Sequence, residues 1–167
     1  MLALNRMASG LARGMAVIGA MAVLVMMLHI CLDVLLRNVF RIALLSTSEL
    51  VARYYMVAVA FLPLGWIELR RDMVSVELVD AALSPLMKWL SDLSVLLAGA
   101  AIYGTVAWTN WVAAFENYRR GTFVEFNETH LAVWHSYFLP PLGFTLATLA
   151  CLVLALNRLL DQQEKLA

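Results

Sequence analysis

Two pairs of opposite charges stand four residues apart in an otherwise apolar sequence. Asp33 and Arg37 form the first pair, and Glu49 and Arg53 form the second. Residues four apart share one face of a helix, so each acid can pair with its arginine. An acid or an arginine inside a membrane span can also bind an ion or a substrate. Because the charges are matched and lie near a membrane edge, we interpret these residues as a structural charge clamp that holds the first helix to the second or to a partner.

Two histidines offer a second kind of chemistry. His29 and His135 are both predicted in the outer half of the membrane, where two imidazoles can bind a haem iron from opposite sides. Such a pair would suit a haem- or quinone-binding membrane anchor of an oxidoreductase. A single histidine hydrogen-bonded inside a helix bundle is the more common arrangement, and we favour it. The sequence contains no CxxC, HExxH or glycine-rich phosphate-binding motif, so we predict no catalytic residue, no cofactor and no metal site.

The composition indicates which solvent surrounds these residues. Of the 167 residues, 63% are hydrophobic and 14% are charged, and the mean hydropathy is +0.80. A soluble domain of this size with such a composition would expose large apolar patches. The 12 basic and 12 acidic residues cancel, which leaves no basic excess for nucleic-acid binding. We therefore predict an all-α integral membrane protein.

Uncharged stretches predict four transmembrane helices in a single membrane domain, residues 1–167. A bilayer core of about 30 Å needs roughly 20 helical residues, which places the spans at about residues 14–36, 48–68, 90–115 and 133–157. The uncharged stretch between Arg53 and Glu68 is too short to cross by itself, so the second helix must begin near Glu49. Ser46 and Glu49 have the spacing of a capping box, which supports this start.

Lysines and arginines outside the spans predict the orientation of the chain. Seven of them fall on the side of the two termini and the second loop, against four on the other side. The positive-inside rule then places both termini in the cytoplasm. All 5 tryptophans fall near the ends of spans, as they do in an aromatic belt.

The connection between the second and third spans is predicted to lie in the inner interface. Apolar residues at helical spacing run from Val76 to Leu90, and charged residues share the same stretch. This pattern is typical of an amphipathic segment at a membrane surface. Pro85 can begin a helix that continues into the third span.

Prolines and small residues predict how the spans pack. Pro63 in the second span and Pro140 and Pro141 in the fourth remove backbone donors, so each is predicted to kink its helix or to require a polar partner from a neighbour. Ala100 and Gly104 form a small-xxx-small pair that allows close packing of the third helix.

The order of these features resembles the small membrane subunit (DctQ-like) of tripartite ATP-independent periplasmic (TRAP) transporters. The resemblance covers nearly the whole chain. The stretches that carry it are Asp33 to Phe40, Ser48 to Tyr54, Trp134 to Tyr137 and Leu139 to Phe144. Arg70 to Leu78 also fits, except that Met73 stands where the family often has a histidine.

The resemblance implies a subunit that is not an enzyme and has no substrate site of its own. Such subunits pair with a large membrane subunit, which moves substrate by an elevator-type motion driven by a sodium gradient, and they enlarge its fixed scaffold. A periplasmic solute-binding protein delivers a carboxylate-bearing substrate. The chain would then be a multi-pass protein of the bacterial inner membrane.

The third loop is predicted to help dock the solute-binding protein by charge. Its charged residues are Glu116, Arg119, Arg120, Glu125 and Glu128. A small autonomous carrier or channel is the remaining alternative. The span assignment puts no carboxylate near the middle of the bilayer, which argues against a stand-alone ion-coupled carrier.

Overall fold

The structure of the protein, a computed structural model, describes residues 2–41, 47–70, 85–126 and 129–166, with side-chain surroundings for 8–41, 47–70, 86–123 and 132–160. The elements in chain order are α1 (Leu2–Val39), α2 (Thr47–Leu50), a π-helical turn (Val51–Tyr55), α3 (Met56–Phe61), α4 (Leu64–Arg70), α5 (Pro85–Arg120), β1 (Phe123–Phe126), β2 (Thr129–Ala132), a 3-10 helix (Trp134–Phe138) and α6 (Leu139–Leu166).

Within the described residues, four helical segments are long and apolar enough to cross a membrane. Spans 1 to 4 are Ala8–Val39, Thr47–Arg70, Leu86–Arg120 and Trp134–Leu160. Helices suit this environment because they satisfy their own backbone hydrogen bonds where no water is present. The prediction of an α-helical membrane protein with four such helices is confirmed. The predicted amphipathic segment falls mainly on residues 71–84, outside the described residues, and α5 begins at Pro85.

Span 2 is built from four short helical pieces in succession, and only the last two are separated by other residues. The π-helical turn of Val51–Tyr55 inserts one extra residue into the helical ladder, and the N–H of Met56 donates to the carbonyl of Val51. The α-helix is divided again at Leu62 and Pro63. Beyond the proline the ladder resumes, since the N–H of Ile67 donates to the carbonyl of Pro63 over 3.0 Å.

The two prolines of span 4 lie at the start of its α-helix, not in the middle of it. Pro140 and Pro141 lie in the first turn of α6, immediately after the 3-10 helix that ends at Phe138. A proline in the first turn breaks no helical hydrogen bond, because the N–H groups there have no partner within the helix. Pro140 and Pro141 therefore suit the start of α6, and the kink expected of this pair stays a prediction. The change of helix type comes just before the prolines.

A short hairpin joins spans 3 and 4 and was not predicted. Gly121, with a φ of +59°, ends α5 in the left-handed conformation that favours glycine after a helix. Strand β1 then pairs antiparallel with β2, with Phe123 opposite Ala132. The N–H of Val133 donates to the carbonyl of Thr122 over 3.1 Å and continues the pairing past the strands.

The packed centre of the protein lies where α6 meets α5 and α4. Small side chains allow the approach, and the buried ones include Ala100, Ala107, Ala114, Ala147, Ala150 and Cys151. Gly143 approaches the carbonyl group of Phe61 so closely that a Cβ at this position would overlap it. At Gly65, a Cβ would lie 2.7 Å from the Cβ of Leu146. Spans 2 and 4 therefore touch almost backbone to backbone at two glycines.

Span 1 is the least enclosed of the four spans. Only 6% of its most apolar stretch is buried within the chain, against 33% for span 4. Its inward face includes Ala12, Gly19 and Asp33, and a Cβ at Gly19 would lie 3.2 Å from the Pro63 ring. The remaining faces of α1 present aliphatic side chains to the surroundings, which in a bilayer means lipid or another membrane protein.

Candidate functional site: polar and charged contacts that join the spans

Both predicted charge pairs form, each within its own helix. In α1, a guanidinium nitrogen of Arg37 lies 3.3 Å from the carboxylate of Asp33. In span 2, Nε of Arg53 lies 2.7 Å from the carboxylate of Glu49. The side chain of Asp33 is only 10% exposed, whereas that of Arg37 is 64% exposed. The acid of the first pair thus faces the bundle and its arginine reaches outward, and the role of the four residues as a clamp between helices stays a prediction.

Two adjacent tyrosines of the π-helical turn reach in different directions. The hydroxyl of Tyr55 lies 3.3 Å from Nδ1 of His29 in α1. The hydroxyl of Tyr54 donates to the carbonyl of Ala132, at the end of β2, over 2.6 Å. One turn of span 2 therefore contacts both span 1 and the hairpin. Neither tyrosine was predicted as a contact residue from the sequence, although Tyr54 stands in one of the stretches that carry the family resemblance.

The two histidines have separate neighbours. The rings of His29 and Tyr55 meet edge to face, with centroids 5.9 Å apart. His135 is exposed and stacks on Trp134, with centroids 3.4 Å apart. Within the part of the chain that the structure describes, no group of three or more His, Cys, Asp or Glu residues is placed to hold a metal ion.

The predicted docking residues are divided between a helix end and the hairpin. Glu116, Arg119 and Arg120 belong to the last turns of α5, where Arg120 pairs with Glu116. Basic residues at this end of a helix interact favourably with its dipole. Glu125 belongs to β1, where it stands opposite His130. Glu128 lies outside the described residues.

Aromatic side chains hold the hairpin end of span 3 to the start of span 4. Trp111, Phe115 and Tyr118 of α5 each contact the ring of Phe138 in the 3-10 helix, with centroids 5.8 to 6.4 Å apart. The indole N–H of Trp111 also donates to the hydroxyl of Thr145 in α6 over 3.1 Å. Such edge-to-face aromatic pairs each contribute about 0.5–1.5 kcal/mol beyond their burial.

Residues 26–161 match the family described as "Tripartite ATP-independent periplasmic transporters, DctQ component". The chain belongs to this family. No curated protein and no solved structure matches it. The resemblance inferred from the motifs is confirmed, and the chain is a small membrane component of a TRAP transporter. The match includes both charge pairs, the two tyrosines and the hairpin.

In this DctQ component, one carboxylate joins three spans. Glu68 of α4 accepts from the hydroxyl of Tyr103 in α5 at 3.5 Å. Its other oxygen lies 3.3 Å from the thiol of Cys151 in α6. Tyr103 is the middle residue of span 3, so Glu68, close to the end of span 2, contacts that helix at its centre. In the sequence, Glu68 only marks the end of an uncharged stretch, and no local pattern indicates these two partners.

A second set of contacts lies at the opposite ends of the spans from the hairpin. Arg158 of α6 pairs with Asp92 of α5 at 3.0 Å, and the carbonyl of Arg158 accepts from the indole of Trp89 at 3.2 Å. Spans 3 and 4 are therefore joined by polar groups at both ends, by Trp111 near the hairpin and by Arg158 at the other edge.

Proposed function

We propose that this DctQ component is the non-catalytic scaffold subunit of a sodium-driven TRAP transporter for carboxylate-bearing solutes. It pairs with the large, elevator-type membrane subunit, and a periplasmic solute-binding protein delivers the substrate. The family match over residues 26–161 supports a component of this transporter class. The chain is a single membrane domain of the bacterial inner membrane. Both termini lie in the cytoplasm, in keeping with the excess of basic residues on that side.

The observation that supports a fixed scaffold is the way polar contacts join spans 2, 3 and 4. Glu68 bridges all three spans, and Trp111 and Arg158 join spans 3 and 4 near their two ends. Hydrogen bonds between transmembrane helices are worth roughly 0.6–2 kcal/mol each. Together with the close approach at Gly143 and Gly65, they favour one rigid arrangement. A rigid body of this kind suits the stationary part against which another subunit moves.

The charge pairs are proposed to fix helix packing within this scaffold. The side chain of Asp33 is only 10% exposed and faces the bundle, and Glu49 and Arg53 are both partly buried. A carboxylate without its arginine at this depth would remain desolvated, which is costly inside a membrane. The four residues therefore stabilise the membrane edge at which the hairpin lies, and they contribute no substrate site.

The end of α5 and the hairpin are proposed to meet the solute-binding protein. Glu116, Arg119 and Arg120 are exposed at the end of α5, and β1 follows directly after Gly121. Charges at the rim of an interface mainly change the rate of encounter and its salt dependence. Glu125 and Glu128 complete the proposed docking residues.

Purification of the tagged chain from native membranes tests the proposal. A large polytopic membrane protein should co-purify, and the reconstituted pair should take up carboxylates only with a sodium gradient and the solute-binding protein. Matched proteoliposomes that contain either subunit alone are the controls. Uptake by this chain alone would support an autonomous carrier. A Soret band with soluble redox subunits would overturn the transporter proposal and support the haem-binding anchor.

A further inference from the structure

Two arginines from different spans meet at one tryptophan. Trp66 lies near the end of span 2 that is remote from the hairpin. The guanidinium carbon of Arg13, in α1, lies 5.1 Å from the centroid of its ring. The guanidinium carbon of Arg70, one turn after Trp66 in α4, lies 4.9 Å from the same centroid. The two cations are therefore no more than about 10 Å apart, and both side chains are exposed.

This cluster keeps two positive charges close together. Arg37, Arg53, Arg120 and Arg158 each pair with a carboxylate in the described part of the chain. In the same part of the chain, Arg13 and Arg70 instead contact the indole ring. A ring face orients a guanidinium group, but it leaves the N–H donors at the edge of that group unoccupied. Within the described residues the two guanidinium groups have no carboxylate partner, and a pair of such like-charged forks is well suited to a phosphate group.

The position of the cluster indicates a phosphate at the membrane surface. Arg70 belongs to the charged stretch, residues 68–72, that ends the apolar part of span 2, and Arg13 stands near the start of span 1. Tryptophan is enriched at the level of lipid headgroups, and basic clusters between helices bind anionic headgroups there. A Cβ at Gly10 or Gly14 would meet no other atom within 4 Å, so the sides of α1 next to Arg13 are open.

An exposed aliphatic stripe continues from Arg13 along α1. Val17, Met21, Leu24 and Leu28 follow at helical spacing on the same face, and their exposed fractions are 57%, 52%, 54% and 71%. At about 1.5 Å per residue the stripe extends some 22 Å from Arg13, about the length of a phospholipid acyl chain. A soluble phosphate would make no use of this stripe, whereas a phospholipid would cover it.

We propose that Arg13 and Arg70 bind the phosphate of an anionic phospholipid, with Trp66 orienting both guanidinium groups and the α1 stripe contacting an acyl chain. The lipid would belong to the leaflet at this edge of spans 1 and 2. It would help hold span 1, which is little buried within the chain, against span 2. Arg13 precedes the residues that match the family, and the proposal does not depend on the transport function.

Native mass spectrometry of the purified full chain, titrated with phosphatidylglycerol and with phosphatidylcholine, tests this site. Phosphatidylglycerol should bind more tightly than phosphatidylcholine. Loss of each arginine, in Arg13→Gln or Arg70→Gln, should weaken its binding about five-fold. Arg41→Gln is the matched control, because it removes one exposed arginine at the other end of α1. Equal effects of the control and the two test variants would overturn the proposal.

Substitutions at the tryptophan separate a built site from net charge. Trp66→Leu should weaken phosphatidylglycerol binding several-fold although the charge of the chain is unchanged, and Trp66→Phe should retain binding because it keeps an aromatic face. Full binding by Trp66→Leu would refute the orienting role of the ring. Competition by glycerol phosphate as strong as that by the lipid would show a soluble phosphate site and overturn the assignment to a lipid.

Discussion

Gly143 lies where span 4 touches the backbone of span 2, and its substitution by alanine is the most direct test of this packing. A Cβ at this position would overlap the carbonyl oxygen of Phe61, and it would lie 2.7 Å from the carbonyl carbon and 3.1 Å from the Cβ of the same residue. Carbon atoms in ordinary contact are about 3.5 Å apart. The carbonyl carbon alone requires the two helices to separate by roughly 0.8 Å, and the overlapped oxygen requires more, since neither contacting group is the flexible end of a side chain.

The energetic balance of Gly143→Ala favours destabilisation. Overpacking a well-packed interior costs about 1–3 kcal/mol. The higher helix propensity of alanine returns at most about 1 kcal/mol. Because the overlap is with backbone, the upper part of this cost applies, about 2–3 kcal/mol, and the net loss is about 1–2 kcal/mol. This loss corresponds to a fall of roughly 2–8 °C in Tm on the scale of soluble domains of this size. The separation should also disturb the neighbouring contact at Gly65, because both glycines lie on the interface between spans 2 and 4.

Thermal unfolding of the purified chain in detergent, followed by tryptophan fluorescence, measures this effect. Gly99→Ala is the matched control, because its Cβ would lie at an ordinary 3.5 Å from the thiol of Cys151. We expect Gly99→Ala to melt at or above the Tm of the wild type. If Gly143→Ala also melted at or above the Tm of the wild type, spans 2 and 4 would not pack as closely as the structure has them.

Three further substitutions test the polar contacts. Arg53→Ala should leave Glu49 partly desolvated and without its arginine, which should lower the stability of the protein by a few kcal/mol and reduce assembly with the large subunit. Arg53→Lys, which keeps the positive charge, is the control. Normal assembly and uptake by Arg53→Ala would show that the clamp is not needed. Glu68→Ala should lower the free energy of unfolding by about 1–3 kcal/mol, because it leaves two donors without their acceptor, and should speed maleimide labelling of Cys151. Glu68→Gln, which keeps an acceptor, should do less, and an unchanged labelling rate for Glu68→Ala would argue against the three-span contact. Arg119→Glu should change the salt dependence of uptake if the end of α5 docks the solute-binding protein, whereas an identical salt profile would remove Arg119 from the docking surface.

The sequence was sufficient to predict the class of protein and its four spans. Lipid requires long, continuous apolar helices, so the pattern of charges along the chain predicts them without any tertiary information. The charge pairs were also predictable, because residues four apart are neighbours on any helix. Asp33 with Arg37, and Glu49 with Arg53, pair in the structure for that reason.

Prolines and the hairpin show where local patterns were insufficient. A proline lacks a backbone N–H donor wherever it stands in a helix. Whether it interrupts the helix or lies in its first turn depends on where the helix begins. Pro63 stands where span 2 is divided, whereas Pro140 and Pro141 lie in the first turn of α6, after a 3-10 helix. The hairpin of Phe123–Phe126 and Thr129–Ala132 is too short to show a clear strand pattern. Pairing between its two strands, and the bond from Tyr54 to Ala132, define it instead.

The sequence by itself therefore determined the solvent of this protein, its helices, its local ion pairs and its family resemblance, because each depends on neighbours along the chain. Only the tertiary structure decided which distant residues meet. Glu68 lies 35 and 83 positions from its partners Tyr103 and Cys151. Arg13 of span 1 contacts Trp66 of span 2. Contacts of this kind follow from how the helices pack and rotate against each other, and that packing has no periodic trace in the sequence.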